Sequence, residues 1–231
     1  MSALSIDGTF NLRALPNAAG RPWLYRSATL DALTPRGVEQ LRHHGVQLVV
    51  DLREGSERGA ASEAHGLPVR HVPIYRSPAG PPQTGSITEV YRSILAERGA
   101  ALAEAVAAVA QSPGPVLVHC TAGKDRTGLV VALALSAAGV PEDAVLDDYA
   151  LSGPQVAEHR SETVALTLAA LALTTDEQRD AHRLHLDSPA SVLQQALAQV
   201  AARGGAGRYL LDHGLAAEDL ALLRRRFREA R

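Results

Sequence analysis

The sequence predicts an α/β fold, a central sheet flanked by helices with a helical insertion or lid toward the C-terminus, on three observations. Short aliphatic and β-branched runs of strand length stand at residues 46–52 and 115–118, as buried strands require. Segments of helical period, opened by capping residues and closed by glycine, alternate with them. The apolar supply is ample, because 46% of the 231 residues are hydrophobic, and with aromatics at only 3% the core has to be Leu, Val and Ala. At about 100–200 residues per domain the chain reads as one domain over 1–231, with 154–203 as the candidate lid or insertion.

Residues 1–22 read as irregular, because Pro16, Gly20 and Pro22 interrupt any period, and residues 23–29 as the first strand. Thr34-Pro35 supplies an N-cap and a first-turn proline for a helix that stops at Gly45. The strand at 46–52 ends in Asp51-Leu52-Arg53; residues 54–66 form a polar loop with at most a helical turn, and 68–75 reads as a further strand. Three prolines and two glycines make 77–85 a loop. Residues 86–111 are helical in pattern, bent near Gly99, with Leu102, Val106 and Val109 on one face. A buried helix over 129–138 stops at Gly139, and Pro141 starts another through Leu151.

In 154–203 no strand pattern occurs; Pro154, the box Thr175-Asp176-Glu177-Gln178 and Ser188-Pro189 mark three helix starts. These helices either cover the face at the carboxyl ends of the strands or complete the core. Gly204, Gly205 and Gly207 read as a flexible break before a closing helix over 216–227. In such a fold the carboxyl ends of the strands form the rim of a site, which is where Asp51 and Cys120 are expected.

Charge and composition exclude several classes. A net charge of −2 leaves no footprint for nucleic acid. The first residues carry neither a basic region nor a long apolar run, and the most apolar segments, near 129–140 and 164–173, fall short of the ~20 residues that span a bilayer. The expectation is a soluble, cytoplasmic protein without integral membrane contact, or one secreted without a recognisable signal peptide. Arg224, Arg225, Arg226 and Arg228 suit the last turn of a helix better than a membrane surface. The single cysteine excludes internal disulfides and a multi-thiolate metal site, and leaves no partner to protect it from oxidation. His159, His182 and His185 read as surface residues with no metal-ligand arrangement.

The chemistry concentrates between the strand at 115–118 and the helix at 129–138. There His119-Cys120-Thr121-Ala122-Gly123-Lys124-Asp125-Arg126-Thr127-Gly128 forms a strand-to-helix loop whose successive N–H groups can curl around one anion, reinforced by the positive end of the helix. Cys120 opens this cradle, where the helix N-terminus and a cation stabilise a thiolate nucleophile. Arg126 enters the first helical turn with a planar fork suited to two phosphate oxygens and to the charge that develops on them. Gly123 lets the backbone turn where a side chain would block the ligand. The Thr127 hydroxyl is expected within reach of the sulfur. Together these predict covalent phosphoryl transfer to Cys120.

The pattern His119-Cys120, five residues, Arg126-Thr127 resembles the signature loop of the cysteine-dependent protein tyrosine phosphatases. Its inner Ala122-Gly123-Lys124-Asp125-Arg126-Thr127-Gly128 resembles more narrowly the atypical bacterial tyrosine and phosphoinositide phosphatases. Asn11-Leu12-Arg13, Leu24-Tyr25-Arg26-Ser27 and Val49-Val50-Asp51-Leu52-Arg53 resemble that family's N-terminal half, so the likeness covers roughly the first two-thirds of the chain. The resemblance implies a tyrosine-phosphatase-like sheet, a phosphorylated protein or phosphoinositide as substrate, no cofactor, and a Thr127 that steadies the leaving thiolate.

The general acid is less direct. The aspartate of the usual mobile acid loop is missing, since no aspartate stands between Asp51 and Asp125. The atypical bacterial group implies Asp125; the runner-up is Asp51 at its strand end, otherwise a rim carboxylate paired with Arg53 or Arg26. Thr121, Ala122, Gly123 and Lys124 line the expected phosphate site, with Lys124 at its outer edge for a second phosphate or simply solvated. His119 is expected to support the loop through hydrogen bonds, and Tyr149 to pack against the site. Alternatives from other classes are a sulfurtransferase or arsenate reductase, disfavoured by Arg126-Thr127 and by the lack of a resolving cysteine, and a non-catalytic phosphate-binding module, which would have lost Cys120 or Arg126.

Overall fold

Six strands form one mixed sheet in the order β1-β2-β3-β6-β4-β5, with β1 (Ser2–Ala3), β2 (Arg13–Pro16), β3 (Pro22–Ser27), β4 (Leu48–Asp51), β5 (Val69–His71) and β6 (Val116–His119). The computed structural model describes residues 2–78 and 80–228; Met1, Ala79 and 229–231 of the expected domain lie outside the described residues. β2 joins β1 and β3 in antiparallel pairs, whereas β3, β6, β4 and β5 run parallel. The N-terminal 22 residues, expected as irregular, thus contribute two strands. Their signal is hidden because β2 puts the charged Arg13 in the interior and ends in a proline at a register shift.

Period-2 alternation sorts the parallel strands onto two cores. Leu24, Val50, Val116 and Val118 face one side, and Tyr25, Val49 and Leu117 the other. Helix α1 (Pro35–His43) covers the second face through Leu41; Thr34 caps it by accepting from Gly37 N at 3.0 Å. The first face is covered by α3 (Gly99–Gln111) and α4 (Asp125–Ala138), and α2 (Ile87–Glu97), α8 (Ala190–Ala201), α9 (Gly205–Asp212) and α10 (Ala217–Arg228) extend the same core outward from them. α4 is apolar all round and almost wholly buried, and it stops at Gly139, whose φ of 98° only glycine adopts without strain.

The expected bend near Gly99 separates α2 from α3. After α5 (Glu142–Ala150), the segment expected as a lid divides in two. α6 (Ser152–Ala169) and α7 (Thr175–Leu186) form a hairpin with its own small core of Val156, Val164, Leu168, Ala181 and Leu186, seated on Ala122 of the signature loop. α8 instead joins the main core through Leu193, Ala196 and Val200. The cap of α7 is Thr174 with Glu177, one residue earlier than the box read from sequence. The strand expected over 68–75 shortens to three residues. The glycine pair near 204 is no flexible break: Gly204 and Gly205, at φ of 93° and 85°, turn the chain directly into α9. No helix of the described residues is long and apolar enough to cross a membrane.

Candidate active site

β6 ends at His119 in the middle of the parallel strands, and residues 120–124 carry the chain into α4. What shapes this loop is the fate of its carbonyls. Cys120 O accepts from His119 Nδ1 at 3.3 Å, Thr121 O from Thr29 N at 3.1 Å, and Ala122 O from Asn11 Nδ2 at 3.0 Å. Gly123 O accepts from Asn11 Nδ2 at 3.0 Å and from Arg26 Nη2 at 2.8 Å. With four successive carbonyls tied from behind, the N–H groups of 121–126 turn to the opposite side, and among the described residues none of them has an acceptor. The result is a concave set of donors at the N-terminus of a helix, suited to one tetrahedral oxyanion. Gly123 is required here: its φ is +67°, and a Cβ would sit 2.2 Å from Ser27 O.

The brace behind the loop is ionic. Asp148, on α5, accepts from Arg13 Nε at 2.6 Å and Arg26 Nη1 at 2.5 Å, all three side chains being at most 1% exposed. Ser152 Oγ, accepting from both arginines, and Asn11 Oδ1, accepting from Arg13, complete the network. Burial, and after it the neighbouring Arg26, bring Arg13 down to about 10, with Asp148 opposing them. The same two arginines hold Asp148 below the usual carboxylate range, outweighing the burial that works the other way.

In front of the loop lies a cavity of about 240 Å³ whose walls include Glu57, Tyr75, Cys120, Asp125, Arg126 and Arg160. Arg126 is forked by Glu57, with Nη1 to Oε2 at 2.5 Å and Nη2 to Oε1 at 2.8 Å, and lies over the Tyr75 ring at 5.3 Å. Burial works against its charge, but the Glu57 hydrogen bonds and the Cys120 charge raise Arg126 above its ordinary value. Glu57 is held below its own, again against burial, by Arg126 and by the Thr121 hydroxyl at 2.5 Å. Glu57 thus aims the guanidinium. It closes a short 3₁₀ turn, Gly55–Glu57, just beyond β4, within the segment whose pattern predicts only a polar loop. A carboxylate following the strand next to β6 is the signal that could have found it.

Asp125 begins α4, where a negative charge suits the helix dipole. Its Oδ1 accepts both from Tyr91 Oη at 2.9 Å and from Lys124 Nζ at 2.7 Å. Tyr149 meets Tyr91 Oη at 2.7 Å, which explains the packing expected of it; Gly128 admits its ring, since a Cβ there would lie 2.9 Å from it. Both tyrosines are raised, by burial first and by the nearby Asp125 carboxylate.

Three expectations for the site require correction. Lys124 is not at the outer edge: it is fully buried, and beyond Asp125 its ammonium donates to Leu184 O at 2.9 Å and Asp187 O at 2.8 Å, fastening the end of α7 to the loop. Asp51 is not on the rim. It is fully buried behind the loop, bound by Arg53 Nη2 at 2.9 Å and Arg58 Nε at 3.1 Å, and against burial Arg53 holds it ionised below its usual range. Thr127 is buried and its hydroxyl has no partner among the described residues, so the contact with the sulfur is not made here.

His119 is enclosed with Asp51 Oδ1 3.8 Å from its Nε2, and a carbonyl acceptor at Nδ1 puts the single proton there. Burial, outweighing Asp51, lowers it to about 4. An unfolded histidine titrates near 6.5, so between roughly pH 6.5 and 4 the unfolded chain takes up a proton that the folded one refuses. Stability is therefore full above that window and falls as pH drops through it, by up to about 3 kcal/mol. Urea unfolding at pH 7.5 and 4.5 checks this: His119→Gln should lose distinctly less over the interval than wild type. The ionised Asp51, Glu57 and Asp148 add their losses at lower pH.

Fold and site together place a buried cysteine, Cys120, at the start of a strand-to-helix loop and on the wall of one cavity with Arg126. The family model described as tyrosine phosphatase family matches residues 4–229, and the chain belongs to that family as a protein-tyrosine-phosphatase-like hydrolase. Over 201 residues the chain is 31% identical to the triple specificity protein phosphatase PtpB of Mycobacterium tuberculosis, covering 70% of this chain and 73% of the relative. A tyrosine-protein phosphatase of Nostoc commune is 56% identical over 43 residues, 19% of this chain and 15% of its own. Among solved structures, TpbA of P. aeruginosa is 26% identical with a TM-score of 0.35, over 85% of this chain and 96% of that one.

Proposed function

We propose that this protein hydrolyses phosphotyrosine in proteins through a cysteinyl-phosphate intermediate. The observation that carries the reading is the loop whose carbonyls are all tied behind it, which aims its N–H groups at the space shared by Cys120 and Arg126. Such donors act where charge develops on transferring oxygens. The Cys120 sulfur attacks phosphorus as the phosphorus–oxygen bond to the tyrosine breaks, and a proton reaches the departing oxygen from Asp125. Water then attacks phosphorus, Asp125 recovers a proton from it, and the thiolate leaves.

Asp125 is the acid by elimination as well as by position. Asp51 is sealed behind the loop and Glu57 is committed to Arg126, both held ionised. Both donors to Asp125 fall on Oδ1, which leaves Oδ2 for the proton. The walls favour an aryl phosphate, with the Tyr75 ring beside Arg126. A phosphoinositide was the rival while Lys124 stood ready for a second phosphate; its burial takes that support away.

Acid-quenched turnover of an aryl phosphate in the presence of chelator should show phosphate on Cys120 by peptide mass spectrometry. Asp125→Asn should slow phosphotyrosine peptide turnover by about 10²–10³-fold and an activated nitrophenyl ester much less, because only the poor leaving group needs the proton. Absence of the adduct, or turnover that chelator abolishes, overturns the mechanism.

A further inference from the structure

We propose that Arg160 binds a second anionic group of the substrate, the carboxylate of an acidic residue flanking the phosphotyrosine of a peptide. The proposal rests on the phosphotyrosine reading above and adds to it a rule of substrate choice. Arg160 lies on α6 and helps wall the cavity that contains Cys120 and Arg126.

The cations at this cavity are otherwise committed. Arg126 has both terminal nitrogens on Glu57, and Lys124 is consumed by Asp125 and two carbonyls. Arg160 has no carboxylate within ion-pair distance among the described residues. The acids nearest it in sequence, Glu158 and Glu162, stand two residues to either side, a spacing that points them to other faces of the helix. Its neighbour on the wall, His185, is lowered by burial first and also by Arg160 itself, and sits 2.9 Å from Gln83 O, an acceptor that places a proton on Nε2. An unpaired guanidinium beside a site that must receive an anion selects for a second negative charge on the same ligand.

A peptide fits these walls better than a lipid surface. The His185–Gln83 bond links α7 to the loop of Pro81 and Pro82, and residues of the helical hairpin and of that loop wall the cavity together. An extended peptide can lie across this mouth while its tyrosyl phosphate enters. A headgroup would have to bring a bilayer against it, and the protein's net charge of −2 does not favour an anionic membrane.

The test compares kcat/KM for two phosphotyrosine peptides, one with glutamates and one with alanines flanking the phosphotyrosine, in wild type and Arg160→Met. A third substrate is a bisphosphorylated inositol lipid in vesicles of neutral lipid. Wild type should prefer the acidic peptide by about five- to tenfold, mainly through KM, and Arg160→Met should bring that ratio to about one. Arg160→Lys should keep part of it, and salt should erode it in wild type. An equal loss on both peptides would mean that Arg160 serves the scissile phosphate, and a loss confined to the lipid that it reads a headgroup; either overturns the proposal. If wild type turns over neither peptide, the phosphatase reading fails first. Binding of the same two peptides to Cys120→Ser and to Cys120→Ser/Arg160→Met then decides the Arg160 question without turnover, a lack of preference counting against it.

Discussion

Cys120→Ser is expected to reduce turnover of every phosphomonoester by at least about 10⁴-fold while leaving the protein folded and able to bind a phosphotyrosine peptide. The substitution is nearly isosteric at a position only 3% exposed, so packing survives. The N–H cradle and Arg126 do not depend on the sulfur, so affinity should stay within severalfold. What is lost is the sulfur nucleophile; a serine hydroxyl attacks only with a base to take its proton. None is placed to serve. The His119 ring directs Nδ1 to the Cys120 carbonyl and is buried and neutral, Glu57 is spent on Arg126, and Asp125 is assigned to the leaving oxygen. Steady-state assays with a nitrophenyl ester and calorimetric binding of a peptide check both halves. A variant keeping more than about 1% of wild-type turnover would show that the sulfur is not the attacking atom.

How much of this was legible in sequence depends on how local each feature is. The strand–loop–helix unit carrying Cys120, Gly123 and Arg126 lies within a few residues, so its composition declares it. Glu57 and Tyr91 reach the site only because β4 pairs with β6 and because α2 brings the Tyr91 hydroxyl to Asp125 at the start of α4, contacts between elements far apart in the chain. Lys124 and Asp51 misled for a common reason. A lysine or an aspartate is buried only when paired; Arg53 is near enough in sequence to be expected beside Asp51, but the two carbonyls at the end of α7 and Arg58 beyond β4 cannot be foreseen from spacing. Arg13 and Arg26 stood in the stretches that resemble the family, yet nothing in their neighbourhood announces Asp148, more than 120 positions away.

Asp148 is where the fold is expected to be most vulnerable. Removing it leaves Arg13 and Arg26, 1% and 0% exposed, facing each other without a counter-charge. Breaking a buried pair on one side costs about 3–5 kcal/mol, because the remaining charge stays buried. Asp148→Ala should therefore lower Tm by about 6–20 °C in a domain of this size. Asp148→Asn is the sharper variant. It keeps the shape and one acceptor but not the charge, so if electrostatics govern the brace it should cost nearly as much as alanine; a loss below about 1 kcal/mol would mean that shape and hydrogen bonding suffice. The damage should also reach the chemistry at temperatures where the variant is folded. Arg26 holds Gly123 O, and Asn11, itself held through Arg13, holds Ala122 O and Gly123 O. Once those carbonyls are released, the N–H groups of the loop are no longer committed to the cleft. kcat should then fall more than peptide affinity, since the cradle matters most when charge builds on the transferring oxygens.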